Sequence, residues 1–136
     1  MGEFGVSLGL EGTMSRARKQ LGQWGEDLAA RYLQERGYVI RARNYRYSNV
    51  GEVDLVTERD GQLVFIEVRT RRGNAYGTPE ESITSAKQAR LAEVAQAYVQ
   101  EHEWAGDWQI DVVAVELAPR GQLLRVTHLP NAIEGR

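Results

Sequence analysis

Residues 51–70, GEVDLVTERDGQLVFIEVRT, hold the stretch that decides the fold. β-branched and aromatic residues crowd both halves, and Asp60-Gly61 stands between them. Asp-Gly signals a two-residue hairpin, because that turn needs positive φ at both positions; glycine takes it freely and aspartate better than most. The two strands are expected at Gly51 to Thr57 and Leu63 to Thr70. The turn sets the register, so Asp54 is expected to face Glu67 and Glu52 to face Arg69. Residues two apart on a strand share a face, which gathers Glu52, Asp54, Glu67 and Arg69 on one side. Val53, Leu55, Ile66 and Val68 make the other side apolar, and Val56 and Phe65 add apolar surface near the turn.

Opposed side chains have Cβ atoms about 4.5–5.5 Å apart. Two ionised carboxylates at that distance repel; a divalent cation between them removes the repulsion and uses their oxygens. Such an ion activates water and stabilises charge on a phosphoryl oxygen. Arg69 is placed to hold a phosphate or the attacking water. The competing interpretation is an exposed polar face on which Arg69 pairs with Glu52.

Upstream of the hairpin, Leu21, Trp24, Leu28 and Tyr32 recur at steps of three and four, predicting one apolar face of a helix from about Arg16 to Arg36. Gly37 stops it, and Tyr38 to Tyr45 reads as the first strand. Downstream, a loop with Gly73, Gly77 and Pro79 leads to a helix from about Thr84 to His102, burying Ile83, Leu91, Val94 and Tyr98 with Ala95 beside them. Thr84 is one candidate N-cap; a capping box at Thr78-Pro79-Glu80-Glu81 is the other. Residues 109–115 read as a strand buried on both faces, and residues 123–128 as an edge strand after the turn at Pro119-Arg120-Gly121. Asp111 is expected to support the site or cap a strand end, Trp104 and Trp108 to join the core, and His128 to be structural. The order α-β-β-β-α-β-β predicts an α/β domain with a mixed five-stranded sheet and flanking helices.

The length, 136 residues, suits one domain with one core. Cysteine is absent, which excludes disulfides and thiolate zinc sites and fits a reducing, cytoplasmic setting. With only His102 and His128 as imidazoles, a bound metal falls to carboxylates, hence a hard cation, Mg2+ or Mn2+. No apolar run approaches the roughly 20 residues that span a bilayer, and the start lacks a signal-peptide pattern. Residues 1–14 are expected to be a flexible or vector-derived leader, 15–132 the domain, and 133–136 a vector-derived tail. The net charge is −2. Local clusters, Arg16 to Arg46 and Arg69, Arg71 and Arg72, still offer basic surface for phosphates, or else form solvated faces.

Asp54 followed by Glu67-Val68-Arg69 on the next strand resembles the D…(D/E)-x-K signature of the PD-(D/E)XK nuclease superfamily. Together with GQWGEDLA at 22–29, Asn44-Tyr45-Arg46, GEVDLV at 51–56, FIEVRTR at 65–71 and Lys87-Gln88, the chain resembles the YraN-like family of bacterial proteins over roughly residues 16–133. That family is placed in the restriction-endonuclease-like fold and is similar to archaeal Holliday-junction resolvases. The resemblance implies an α-β-β-β-α-β core with a metal cleft. It implies Asp54 and Glu67 as metal ligands, the Val68 carbonyl as a further ligand, and Glu26 as the acidic residue that completes the site. Helical geometry is neutral about Glu26, which lies off the Leu21/Trp24/Leu28 stripe and could equally be solvated.

The activity implied is Mg2+-dependent hydrolysis of phosphodiesters in DNA, branched DNA included, by a homodimer, since two cuts need two sites. Nucleic-acid contacts are expected at Arg43, Arg46, Arg71 and Arg72, with Lys87 and Gln88 at the second helix start, where anions are attracted, or else simply exposed. One departure matters: the superfamily has lysine where this chain has Arg69. Arginine keeps the charge but not the compact, titratable amine. If the role needs that amine, turnover is lost before metal or DNA binding. The alternatives are a nuclease-fold module that binds nucleic acid without cutting, and a protein-interaction domain.

Overall fold

Asp60 and Gly61 adopt φ of +52° and +76°, the pair of left-handed conformations that a type I′ turn demands. The hairpin they close lies within an α/β fold described for residues 2–73 and 78–135 by a computed structural model, with side chains from residue 16 onward except residue 80. The elements are α1 (Gly2–Glu35), β1 (Val39–Tyr47), β2 (Gly51–Arg59), β3 (Gln62–Arg72), a short 3-10 turn (Glu80–Ser82), α2 (Ser85–Glu101), β4 (Trp108–Leu117) and β5 (Leu123–Ile133). The sheet keeps chain order, β1-β2-β3-β4-β5. β3 and β4 run parallel, with α2 as their crossover; all other neighbours are antiparallel. The expected mixed five-stranded sheet and element order are borne out.

Two apolar clusters sandwich the sheet. On the α2 side, Ile83, Leu91, Val94, Ala95 and Tyr98 meet Val53, Val56, Leu63, Phe65, Ile110 and Val112. On the α1 side, Ala29, Ala30 and Leu33 meet Leu55, Val64, Ile66 and Val113. The second helix therefore buries the residues its periodicity predicted. The first does not. Gly25, Ala29, Ala30 and Leu33 are buried, whereas Trp24 is exposed and Leu21, Leu28 and Tyr32 are half-buried. The cause is close approach. A Cβ at Gly25 would collide with Thr70 Oγ1 of β3, so the helix presents Gly25, Ala29 and Ala30 to the sheet, with Leu33 buried beyond them, while Leu21, Trp24, Leu28 and Tyr32 flank the contact.

The helix ends are set by side chains and glycine. Tyr38 N–H bonds Leu33 C=O at 3.0 Å and Gly37 N–H bonds Gln34 C=O at 3.1 Å, a Schellman ending with Gly37 at φ +89°. Both candidate N-terminal signals of the second helix are used. Thr84 caps α2 by accepting from Lys87 N–H at 3.1 Å. Thr78 and Glu81 form a reciprocal capping box around the 3-10 turn. The Gly73–Pro79 loop lies largely outside the described residues, which omit 74–77.

At the other edge, β5 runs past Pro130 to Ile133, which pairs with Ile110 and is 1% exposed. The expected boundary at residue 132 thus falls inside a strand. Asp111, fully buried, supports this strand: its carboxylate accepts from Asn131 N–H and Gln109 Nε2, both at 2.8 Å, and meets His128 Nε2 at 2.6 Å. Those contacts span a register shift between β4 and β5, so Asp111 caps a bulge and His128 is structural. Trp104 and Trp108 pack at the rim of the α2-side cluster, half-buried. No helix among the described residues is long and apolar enough to cross a membrane.

Candidate active site

The β2/β3 ladder follows the register expected from the turn, from Arg59/Gln62 to Leu55/Ile66. It ends there. At the next position the Asp54 side chain replaces the backbone partner: Val68 N–H donates to Asp54 Oδ2 at 2.7 Å. Beyond this point β2 pairs only with β1, and β3 only with β4. Alternation also breaks at Asp54. Val53 and Val56, three apart, both join the α2-side cluster, while Leu55 joins the α1 side. The parting strands open a cleft of about 320 Å³ lined by Arg18, Leu21, Gly22, Glu26, Asp54, Val68, Thr70 and Lys87.

This geometry corrects the expected tetrad. Asp54 and Glu67 remain neighbours, but Glu52 does not face Arg69. Glu52 accepts from Asn44 Nδ2 at 3.2 Å and lies 3.7 Å from Arg46. Arg69 turns toward the segment before α2, where Nε and Nη2 donate to Ser82 Oγ at 3.2 Å and Nη2 to the Ser82 carbonyl at 3.0 Å. Its Nη1 is still 3.9 Å from Glu67 Oε2. Lys87 comes closer, with Nζ 2.8 Å from the same oxygen. The Glu67 side chain is only 3% exposed.

Burial, and next the neighbouring Glu67 carboxylate, raise the Asp54 pKa from 3.8 to about 8, against the lowering effect of the Val68 N–H; Glu26 adds to the rise. Asp54 is therefore held largely protonated at neutral pH, while Glu67 is paired with Lys87. Glu26 lines the same cleft, on the helix face that Gly25 brings close to the sheet, and accepts from Asn44 Nδ2 at 3.1 Å. Asn44, with φ +51°, bridges Glu26 and Glu52 and so links α1 to the strand pair at the rim. Among the described residues, no three His, Cys, Asp or Glu side chains form a ready-made metal cage.

The remaining candidates scatter. Arg43 pairs with Asp27 at 2.6 Å beside a separate surface depression. Gln88 Nε2 donates to the Ile83 carbonyl at 3.0 Å, which is a structural bond. Arg71 is half-buried on β3 beside Glu116. Arg72 lines a shallow surface cleft with Arg18, Leu21 and Trp24. Arg18 and Asn44 were not singled out from sequence. Their only signals were a place in the basic run and a place in the Asn44-Tyr45-Arg46 motif.

Comparison with known proteins matches residues 25–115 to the family described as "Uncharacterised protein family UPF0102". A UPF0102 protein of Roseiflexus castenholzii is 47% identical over 123 residues, covering 89% of this chain and 98% of the relative. One from Herpetosiphon aurantiacus is 46% identical over 114 residues, covering 80% and 90%. One from Dictyoglomus turgidum is 36% identical over 115 residues, covering 84% and 97%. The matched span includes Glu26, Asp54, Glu67, Arg69 and Lys87.

Proposed function

The chain belongs to the UPF0102 family, and from that premise we propose that it is a metal-dependent endonuclease that hydrolyses phosphodiesters in DNA. The observation that carries this reading is the pairing of Asp54 with the buried Glu67 where two sheet strands part, with the Asp54 pKa raised by burial and by the Glu67 carboxylate. An all-oxygen pair of this kind suits a hard divalent ion. Mg2+ in particular takes one or two carboxylates and fills its other positions with water and substrate phosphate, so a site with two inner carboxylates among the described residues fits. Asp54 and Glu67 would hold the ion, with the Val68 carbonyl as a further donor and Glu26 assisting from the rim. When bound, Mg2+ or Mn2+ supplies charge for the phosphoryl oxygens and lowers the pKa of water.

The residues around the pair divide the remaining work. Arg18 and Lys87 line the same cleft and would attract the phosphate backbone, giving salt-sensitive binding with little base specificity. Asn44 holds Glu26 in place. Branched DNA is the substrate to test first, and a homodimer is the assembly that two symmetric cuts require.

The test is calorimetric titration of Mg2+ and Mn2+ into the wild type and Asp54→Ala, with a labelled four-way junction incubated alongside. Metal binding and metal-dependent cutting, both lost in the variant, support the nuclease. Wild-type protein that neither binds metal nor cuts, with or without DNA present, sinks it. The attachment of Arg69 to Ser82 favours one second reading, a module that grips DNA without cutting. It would keep salt-dependent DNA affinity in Asp54→Ala.

A further inference from the structure

We propose that Lys87, delivered by α2, is the working ammonium of this site: it holds Glu67 until a divalent ion displaces it, and then meets the scissile phosphate. The inference rests on the nuclease reading above. Lys87 Nζ stands 2.8 Å from Glu67 Oε2, whereas the Arg69 guanidinium is 3.9 Å away. Arg69 is committed elsewhere, tied to both the hydroxyl and the carbonyl of Ser82. Its planar fork thus secures β3 to the segment that leads into α2.

Lys87 is free to do what Arg69 is not. Its backbone is fixed by the Thr84 cap in the first turn of α2, while its side chain is 38% exposed and lines the cleft with Asp54 and Glu26. One end of its travel is a buried carboxylate, the other an open cleft. An ammonium on a flexible four-carbon stem, with three rotatable donors, can cross between a carboxylate and a phosphoryl oxygen; a guanidinium locked on two oxygens cannot. Because the Glu67 carboxylate is buried, the Lys87–Glu67 contact is less screened than an ion pair between two exposed groups. It therefore stands in for part of the charge that a divalent ion brings.

In the reaction, a water oxygen bonds to phosphorus and the bond from phosphorus to the leaving ester oxygen breaks. The water gives a proton to solvent and the leaving oxygen takes one from solvent. Lys87 keeps its protons throughout and offsets charge on a non-bridging oxygen. The lysine missing from β3 is in this view supplied by a helix.

Lys87→Met and Lys87→Arg in the full chain are to be titrated with Mn2+ and assayed on the labelled four-way junction, with circular dichroism confirming the fold. Lys87→Met is expected to bind Mn2+ about tenfold more tightly, because a competing cation has gone, and to cut at least about 100-fold more slowly. Lys87→Arg should recover part of the cutting. A folded Lys87→Met that binds and cuts like wild type overturns the proposal. So does weaker Mn2+ binding in Lys87→Met, which would mean that Lys87 only props the site. Wild type that binds Mn2+ but cuts no DNA refutes the nuclease reading and the phosphate role with it; tighter Mn2+ binding in Lys87→Met then still supports the hold on Glu67.

Discussion

Asp54 is where position and chemistry meet most closely. Burial and the neighbouring Glu67 raise its pKa to about 8, so any divalent ion that binds there must displace a proton. Mg2+ affinity should rise about tenfold per pH unit below that value and level off above it, as read by titration calorimetry in a pH series. The same shift has a stability consequence. The folded pKa lies above the unfolded value of 3.8, so the folded state binds more protons in between. This contribution is fully present below about pH 4 and is lost as pH rises toward about 8. Thermal unfolding of metal-free protein across that window should show a falling midpoint, which Asp54→Asn flattens and Mg2+ restores in the wild type alone. At this scale the turn was enough to place Asp54 beside Glu67. It was not enough to place Arg69 or Lys87. Register arithmetic assumes the ladder continues, and the Asp54 bond to Val68 N–H ends it. The approach of Lys87 depends on where α2 docks, which no local pattern contains.

Among the elements, α1 is the instructive one. Periodicity weighs large apolar residues, yet the face against the sheet is Gly25, Ala29 and Leu33. Small residues carry little hydrophobic signal but decide how near two backbones come. Gly25→Ala should therefore cost about 1–3 kcal/mol as an overpacking change, and adding Thr70→Ala should recover most of it, because Thr70 Oγ1 is what the new methyl would meet. Chemical denaturation of the two variants decides the matter. A Gly25→Ala protein as stable as wild type would mean that the helix can lift away freely. The α2 start offers a smaller effect. Thr84→Ala removes the acceptor of Lys87 N–H and should cost about 1 kcal/mol. The caps themselves were legible because Thr84 and Thr78…Glu81 each carry the chemistry that a helix start needs. Both patterns were satisfied, one for each of two successive helical turns.

For the whole molecule, the mixed five-stranded sheet and its flanking helices followed from the element order, but the far edge did not. Pro130 interrupts the β pattern, and the outer edge of a sheet tolerates proline, so β5 continues to Ile133. Ile133→Ala should cost about 2–5 kcal/mol in equilibrium unfolding, and a chain ended at residue 132 should lose at least as much. A truncated protein of undiminished stability would place Ile133 outside the working core. The sheet's matching of chain order and spatial order also bears on how the protein comes to exist. Hairpins between consecutive strands close quickly, whereas distant pairings wait on the entropy of a long loop. The first three strands can meander together as soon as they leave the ribosome, bringing Asp54 and Glu67 face to face. The β3–β4 pairing, from Leu63 to Trp108, must wait for the crossover, and Lys87 arrives only with it. The newborn chain thus holds this acidic pair for a time with Arg69 as its neighbouring cation, before the lysine that sits closest to Glu67 in the finished fold has arrived.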